Sequence, residues 1–234
     1  MLTPRFWKRY FEEYDLLNEL TPYRELLDAI CVRANINTGN NILDVGSGTG
    51  NLSIKLEKYG AIVTGIDFSK EGLEIHRKKS NITELIYGDI NQPLPFSNDQ
   101  FETVVSNNVL YTVSRNERLT VMKELYRVLK PGGRIIVSNV VEGFRPHVIY
   151  FDHVNSLIKK IGIFKAFIVV LKLSRSTIKI LYYNYKINME NRHGVYDFFG
   201  LGEQKKLLEE SKFKNVSEDY ILYSGQAVLN WGIK

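Results

Sequence analysis

The segment Ile42-Leu43-Asp44-Val45-Gly46-Ser47-Gly48-Thr49-Gly50-Asn51-Leu52-Ser53 limits the possible folds of this chain more than any other. A short apolar run meets an acidic residue, and glycine then recurs at every second position before a helix-compatible stretch. This pattern predicts a strand running into a tight turn. Glycines so closely spaced let the backbone turn sharply, admit a ligand against the main chain and draw the next helix onto the sheet. The chemistry suits an adenosine-bearing cofactor. The dinucleotide pattern G-x-G-x-x-G wants its third glycine where this chain has Asn51, which argues against a nicotinamide or flavin site.

Around that turn the sequence alternates strand and helix signals. Ile42–Val45 predicts a strand, Gly50–Tyr59 a helix, Ala61–Ile66 a strand, and Ser69 caps a helix over Glu71–Lys79. Short strands follow at Glu84–Tyr87 and Phe101–Ser106. Arg115–Leu129 is an amphipathic helix that Lys130-Pro131-Gly132-Gly133 should end, with a fifth strand at Arg134–Asn139. This βαβ rhythm predicts an α/β, doubly wound, Rossmann-like fold. Ahead of it, aromatic and leucine spacing from Phe6 to Asn35 suits two helices. Beyond Gly143 the rhythm fails until a helix at Glu203–Ser211 and a hairpin of Val216–Tyr223 and Gln226–Trp231 around Ser224-Gly225. We therefore expect one core from residues 1–143 and 201–234, its residues 1–38 a helical cap, and a helical insertion over 144–200 after strand five. The sheet should have seven strands, the last antiparallel.

Composition excludes several classes. Hydrophobic residues make up 44% and charged residues 24% of the 234, which is a globular rather than a disordered profile. Cys31 is the only cysteine, so no disulfide framework or cysteine metal cluster is expected, and the cytoplasm is the default compartment. The residues after Met1 form no apolar leader, and no run of about eighteen apolar residues occurs. The net charge is +5, and between Phe144 and His193 nine basic residues stand against two acidic ones.

Five segments in order carry a family resemblance. They are Ile42–Gly50; Val63-Thr64-Gly65-Ile66-Asp67-Phe68-Ser69; Tyr87-Gly88-Asp89-Ile90; Phe101–Tyr111; and Arg127–Gly133. Together they resemble the class I S-adenosylmethionine-dependent methyltransferases, within the broad group containing quinone and other metabolite methyltransferases. The resemblance implies a cofactor site of Asp44, Gly46, Ser47, Gly48, Gly50, Asp67, Phe68, Asp89, Ile90, Asn107 and Asn108. Within it Asp67 accepts the ribose hydroxyls, Asp89 the adenine amine, Phe68 and Ile90 flank the ring, and Asn107 and Asn108 lie where the sulfonium sits. It implies S-adenosylmethionine as methyl donor, S-adenosylhomocysteine as product, and methyl transfer to O, N or C of a small, amphipathic or lipid-soluble acceptor.

Other residues narrow the reading. No Asn-Pro-Pro-aromatic turn follows Asn107, and Cys31 lies far from the strand whose end would carry a cytosine nucleophile. No metal site is expected. His147 and His153 follow strand five. His147 is the candidate base, against an ordinary loop histidine, and His76 is expected at the surface. Tyr14 and Tyr111 are candidates for the acceptor pocket, against plain packing roles. Lys165, Lys172, Lys179 and Lys186 recur every seven residues, with apolar residues such as Ile163, Phe167, Val170, Leu173, Ile180 and Leu181 expected on the other face. The Ser174-Arg175-Ser176 step is a candidate break in that helix. Three readings of the insertion stand: a lid with a solvated lysine stripe, a surface lying on anionic membrane through residues 154–187, or an RNA-binding stripe that would make the chain an RNA methyltransferase. A non-catalytic cofactor-binding partner protein is a further alternative.

Overall fold

The computed structural model describes residues 4–234; residues 1–3, the start of the expected cap, lie outside the described residues. The chain runs through α1 (Pro4–Tyr14), a 3₁₀ turn at Asp15–Glu19, α2 (Thr21–Ala34), β1 (Asn41–Val45), α3 (Asn51–Lys58), β2 (Ile62–Asp67), α4 (Lys70–Lys79) and β3 (Glu84–Tyr87). It continues with β4 (Phe101–Asn107), a 3₁₀ turn at Leu110–Thr112, α5 (Arg115–Val128), β5 (Leu129–Val140), α6 (Pro146–Ile161), α7 (Ile163–Arg192), α8 (Glu203–Glu210), β6 (Tyr220–Leu222) and β7 (Ala227–Ile233). The seven strands form one sheet in the order β3-β2-β1-β4-β5-β7-β6, with β7 antiparallel to both of its neighbours. Strands β1 and β4 are apolar on both sides because helices cover both faces, and Ile42, Leu43, Val45, Val104 and Val105 are fully buried. The direction of the strand order reverses between β1 and β4. Clefts at the carboxyl ends of such a pair are where open α/β sheets bind ligands.

Three local expectations change. Lys130-Pro131-Gly132-Gly133 does not separate helix from strand: α5 passes directly into β5, which pairs from Phe101↔Leu129 across an irregular step to Thr103↔Arg134. Gly132 has φ +74° there, and a Cβ on Gly133 would stand 2.7 Å from the Lys130 carbonyl oxygen, so the glycines absorb the bulge inside the strand. The C-terminal hairpin is shorter than expected on its first arm: Tyr220–Leu222 forms the strand at the sheet edge, and ahead of it Ser217 N makes a separate bond to the Trp231 carbonyl at 2.9 Å. Finally, α7 is unbroken for 30 residues. The Ser174 hydroxyl donates to the Leu171 carbonyl at 2.8 Å, a back-bond within the helix that lets serine sit in its interior.

The insertion is tied to the core at both ends. Val141 bridges Phe199, and Glu142 N donates to the Phe199 carbonyl at 3.0 Å. Beneath it lies a buried amide network: Asn139 Nδ2 donates to Gln204 Oε1 at 2.7 Å, and Gln204 Nε2 to Asn230 Oδ1 at 2.8 Å and to the Val137 carbonyl at 3.1 Å. The Asn139 oxygen accepts from Tyr111 N at 3.3 Å, so the network that joins β5, β7 and α8 also holds the loop after β4. Gln204→Leu leaves these partners buried without bonds, and we expect a loss of about 2–4 kcal/mol in urea unfolding. A change under about 0.5 kcal/mol would show that the amides re-pair among themselves.

Candidate active site

The turn after β1 is held against β2 by main-chain contacts. Gly46 N and Ser47 N both donate to the Ile66 carbonyl, at 2.8 and 3.1 Å. Gly48 N donates to Asp67 Oδ2 at 2.8 Å, and Ser69 N to Asp67 Oδ1 at 2.7 Å. The carboxylate therefore ties the glycine turn to the start of α4, while a carboxylate's four lone-pair positions leave two for a ligand. Side chains are excluded from the turn. Gly50 has φ +83° and a Cβ there would lie 2.2 Å from the His76 ring, while a Cβ on Gly46 would lie 2.1 Å from Val109. The second contact brings the turn after β1 against the loop after β4, across the point where the strand order reverses.

Asp44 and Asp67 are both buried, and burial pushes their carboxyls up to about 7 and about 6 respectively. Asp44 Oδ2 accepts from the Ser53 hydroxyl at 2.6 Å, which fixes the first turn of α3 against β1. His76 is fully buried behind Gly50, contrary to the surface position expected of it. Both ring nitrogens lack partners, and burial lowers the imidazole to about 4, so the ring is neutral. Its position follows from the missing Cβ at Gly50, whose space the ring fills.

The other expected site residues divide by position. Asn107 ends β4 and Asn108 follows it, and their buried side-chain oxygens, like the hydroxyls of Ser47, Ser106 and Ser138, have no hydrogen-bond partner among the described residues. Asn108 adopts φ +58°. On the far side Phe68 is exposed, Ile90 is buried, and exposed Asp89 accepts from Asn91 N and Nδ2, each at 2.9 Å, within its own loop. His147, the candidate base, stands exposed on α6 with its ring centroid 6.4 Å from that of Phe151.

The α1 helix supplies what the motifs did not: a roof of aromatic rings. Trp7 meets Phe11, Phe68 and Tyr196 at centroid distances of 6.0, 6.4 and 6.4 Å, and Phe11 Cε1 lies 3.5 Å from where a Gly48 Cβ would be. Tyr10 and Tyr14 stack edge-on at 5.2 Å, Tyr14 meets Tyr23 at 6.2 Å, and Tyr111 meets Tyr196 at 5.8 Å. Burial pushes the Tyr14 and Tyr196 hydroxyls up to about 12 and raises those of Tyr10, Tyr111 and Tyr223 well beyond the usual tyrosine value. All are therefore protonated donors at neutral pH. The spacing Trp7, Tyr10, Phe11, Tyr14 is that of one helix face, and it was the available signal for this roof.

A pair of buried carboxylates, a turn open to main-chain approach and a row of unpartnered polar atoms at the strand ends fit an adenosylmethionine. Comparison with known proteins agrees. A family model described as "Methyltransferase domain" matches residues 43–137. The demethylmenaquinone methyltransferase of Oceanobacillus iheyensis is 30% identical over 171 residues, covering 66% of this chain and 71% of that protein. The enzyme of the same name from Staphylococcus aureus strain JH9 is 28% identical over 226 residues, covering 91% and 85%. A SAM-dependent methyltransferase from Aquifex aeolicus shares the fold over 100% of this chain and 99% of its own, with a TM-score of 0.63 at 15% identity. The chain belongs to the class I S-adenosylmethionine-dependent methyltransferases and takes its methyl group from S-adenosylmethionine.

The raised carboxyl of Asp44 has a measurable sign. A carboxyl bound to its proton more tightly when folded favours the fold below its ordinary value of 3.8 and loses that contribution as pH rises through about 7. Buried His76 works in the opposite direction, so the comparison must be made against a single-site variant. Asp44→Asn keeps an acceptor for Ser53, and we expect it to gain on the wild type by on the order of 2 kcal/mol as pH is raised from about 5 to about 8. Urea unfolding at the two pH values measures it; a pH-independent difference would mean that Asp44 does not titrate in this range.

Proposed function

We propose that the enzyme methylates a small, largely apolar ring compound of the quinol type. The observation that carries this reading is the aromatic roof: the rings above the glycine turn bear no charge, and their only polar groups are the Trp7 indole N–H and protonated phenols. Such a surface suits a flat apolar ring bearing oxygens that can accept hydrogen bonds. The name shared by the two relatives, demethylmenaquinone methyltransferase, supports a quinone-type acceptor.

In this reading Asp67 uses its two remaining lone-pair positions on the ribose hydroxyls, Asp89 accepts from the adenine amine, and Phe68 and Ile90 flank the base. Gly46, Ser47 and Gly48 face the methionine portion, with Asn107 and Asn108 opposite, and Asp44 holds the helix that follows the turn. When bound there, the cofactor would supply an electrophilic methyl group that passes to the acceptor atom as its carbon–sulfur bond breaks, the electron pair remaining on sulfur. Tyr14 and Tyr111 orient the acceptor by donating to its oxygen rather than by taking its proton, because both are held protonated. In-line displacement needs alignment and exclusion of water above all, and the phenol donors would stabilise the oxyanion of a quinol that has given its proton to solvent before entering the site. The same reading includes peripheral contact with an anionic membrane through residues 154–187, from which a lipid-soluble acceptor would arrive. No particular observation favours an RNA substrate or a non-catalytic role.

Calorimetry on the purified chain is expected to show binding of S-adenosylmethionine and S-adenosylhomocysteine but not of NAD. Asp67→Asn removes the charge and sets an NH2 group against one of the two backbone donors, so it should weaken adenosylmethionine about a hundredfold or more and also cost about 1–3 kcal/mol in urea unfolding. Transfer of labelled methyl to demethylated naphthoquinols is the decisive assay for the acceptor. Tight cofactor binding with no transfer to any quinol would overturn the acceptor assignment, and unchanged affinity in Asp67→Asn would overturn the role of that carboxylate.

A further inference from the structure

Helix α7 carries its apolar residues on the wrong side for a simple lid. An α-helix advances about 100° per residue, and on that count Phe164, Phe167, Leu171, Ile178, Tyr182 and Tyr185 fall within an arc of about 60°. All six are between 55% and 75% exposed. The buried residues of the same helix, Ala166, Thr177, Ile180 and Ile187, lie roughly opposite and pack on the protein. Phe167, expected on the face away from the lysines, points to solvent. The result is a ridge about 45 Å long at 1.5 Å per residue, with an apolar crest along its solvent side. The seven-residue lysine repeat does not form the crest. It runs along one flank, where Lys165 and Lys172 are exposed, Lys179 pairs with Glu13, and Lys186 stands 5.7 Å over the Tyr182 ring. Arg175, also exposed, lies between the crest and that flank.

We infer that this ridge docks on an anionic lipid surface, with the rings entering the headgroup boundary and the flanking lysines meeting lipid phosphates. An exposed apolar stripe of this extent on a soluble-facing helix marks an interaction site. Charge selects the occupant. The insertion carries nine basic residues against two acidic ones, so a second copy laid ridge to ridge would bring like charges together, whereas an anionic bilayer complements both the apolar crest and its basic flank. No helix among the described residues is long and apolar enough to cross a membrane, so the contact is lateral. The ridge also backs directly on the roof of the active site: Tyr183 on its inner side meets Phe6 and Tyr10 at 5.3 and 5.9 Å. An apolar acceptor dissolved in lipid would thus be delivered one helix away from the pocket. This inference rests on the proposed lipid-soluble acceptor for its purpose, though not for its physical test.

The test is cosedimentation of the full chain with vesicles of phosphatidylcholine containing phosphatidylglycerol, and with phosphatidylcholine alone. The wild type should bind the anionic vesicles and bind the neutral ones about tenfold or more weakly. Phe167→Asp with Leu171→Asp should reduce anionic binding by about tenfold or more, and Lys165→Ser with Lys172→Ser should narrow the gap between the two vesicle types. Adenosylmethionine affinity, measured by calorimetry in the same preparations, should be unchanged, since all four positions are exposed and remote from the glycine turn. Failure of the wild type to prefer anionic vesicles overturns the inference, as does undiminished binding by the Asp pair. Two further results also overturn it: retention on RNA but not on vesicles, or a dimer that ignores vesicles and dissociates in the Asp pair. Loss of cofactor binding in the wild type would overturn the enzymatic reading and leave the vesicle result standing.

Discussion

The site depends on how closely the backbone after β1 approaches β2 and α4. Gly46 N and Ser47 N share the Ile66 carbonyl, Gly48 N closes on Asp67, and a Cβ on Gly72 would come within 3.3 Å of the Gly48 backbone. At that separation only main chain fits between the elements. A carboxylate buried there would be destabilising if it were idle, because removing a charged group from water is costly. Asp67 offsets part of that cost with two backbone N–H bonds, which at the same time fix the shape of the turn. Recognition and local stability are thus served by the same atoms.

From that contact the rest of the architecture is arranged outward. The loop after β4 touches the turn through Val109 and is held from below by Asn139, which belongs to the amide network shared with β7 and α8. The α1 helix lies over the turn, and α7 lies over α1. Rings face one another between the two helices, Phe6 and Tyr10 of α1 meeting Tyr183 of α7, with Lys179 of α7 paired to Glu13 of α1 beside them. Polar strand ends below and rings above suit a reaction between a charged, water-soluble donor and an apolar acceptor that enters from the opposite side.

Much of this was legible in the sequence. The alternation of strands and helices, the glycine turn and the acids ending β2 and β3 are local patterns, and local patterns survive translation into a fold. What the sequence concealed was set by tertiary contact. Lys130-Pro131-Gly132-Gly133 reads as a stop, yet pairing with Phe101 and Thr103 carries the strand through it. His76 reads as a polar residue on a charged helix, and only the space left by Gly50 buries it. His147 follows a strand whose end faces the pocket, but the rotation of α6 turns it to solvent. On α7 the pattern gave a helix with a lysine stripe and left open which apolar face the protein covers. Apolar residues occur on both faces, and periodicity alone cannot tell which one the protein covers.

Gly50 and His76 occupy what is in effect a single volume, and this gives sequence drift at the site a direction. His76 can shrink while Gly50 stays, leaving a small cavity. Gly50 cannot grow while His76 stays, because the added carbon would fall 2.2 Å from the ring. Even after His76 has been reduced, a side chain at position 50 must still tolerate φ +83°, a conformation that few residues other than glycine and asparagine adopt readily. The order of substitution is thereby fixed, with the histidine first and the glycine second if at all. A lineage that begins at the glycine meets a barrier that one beginning at the histidine does not.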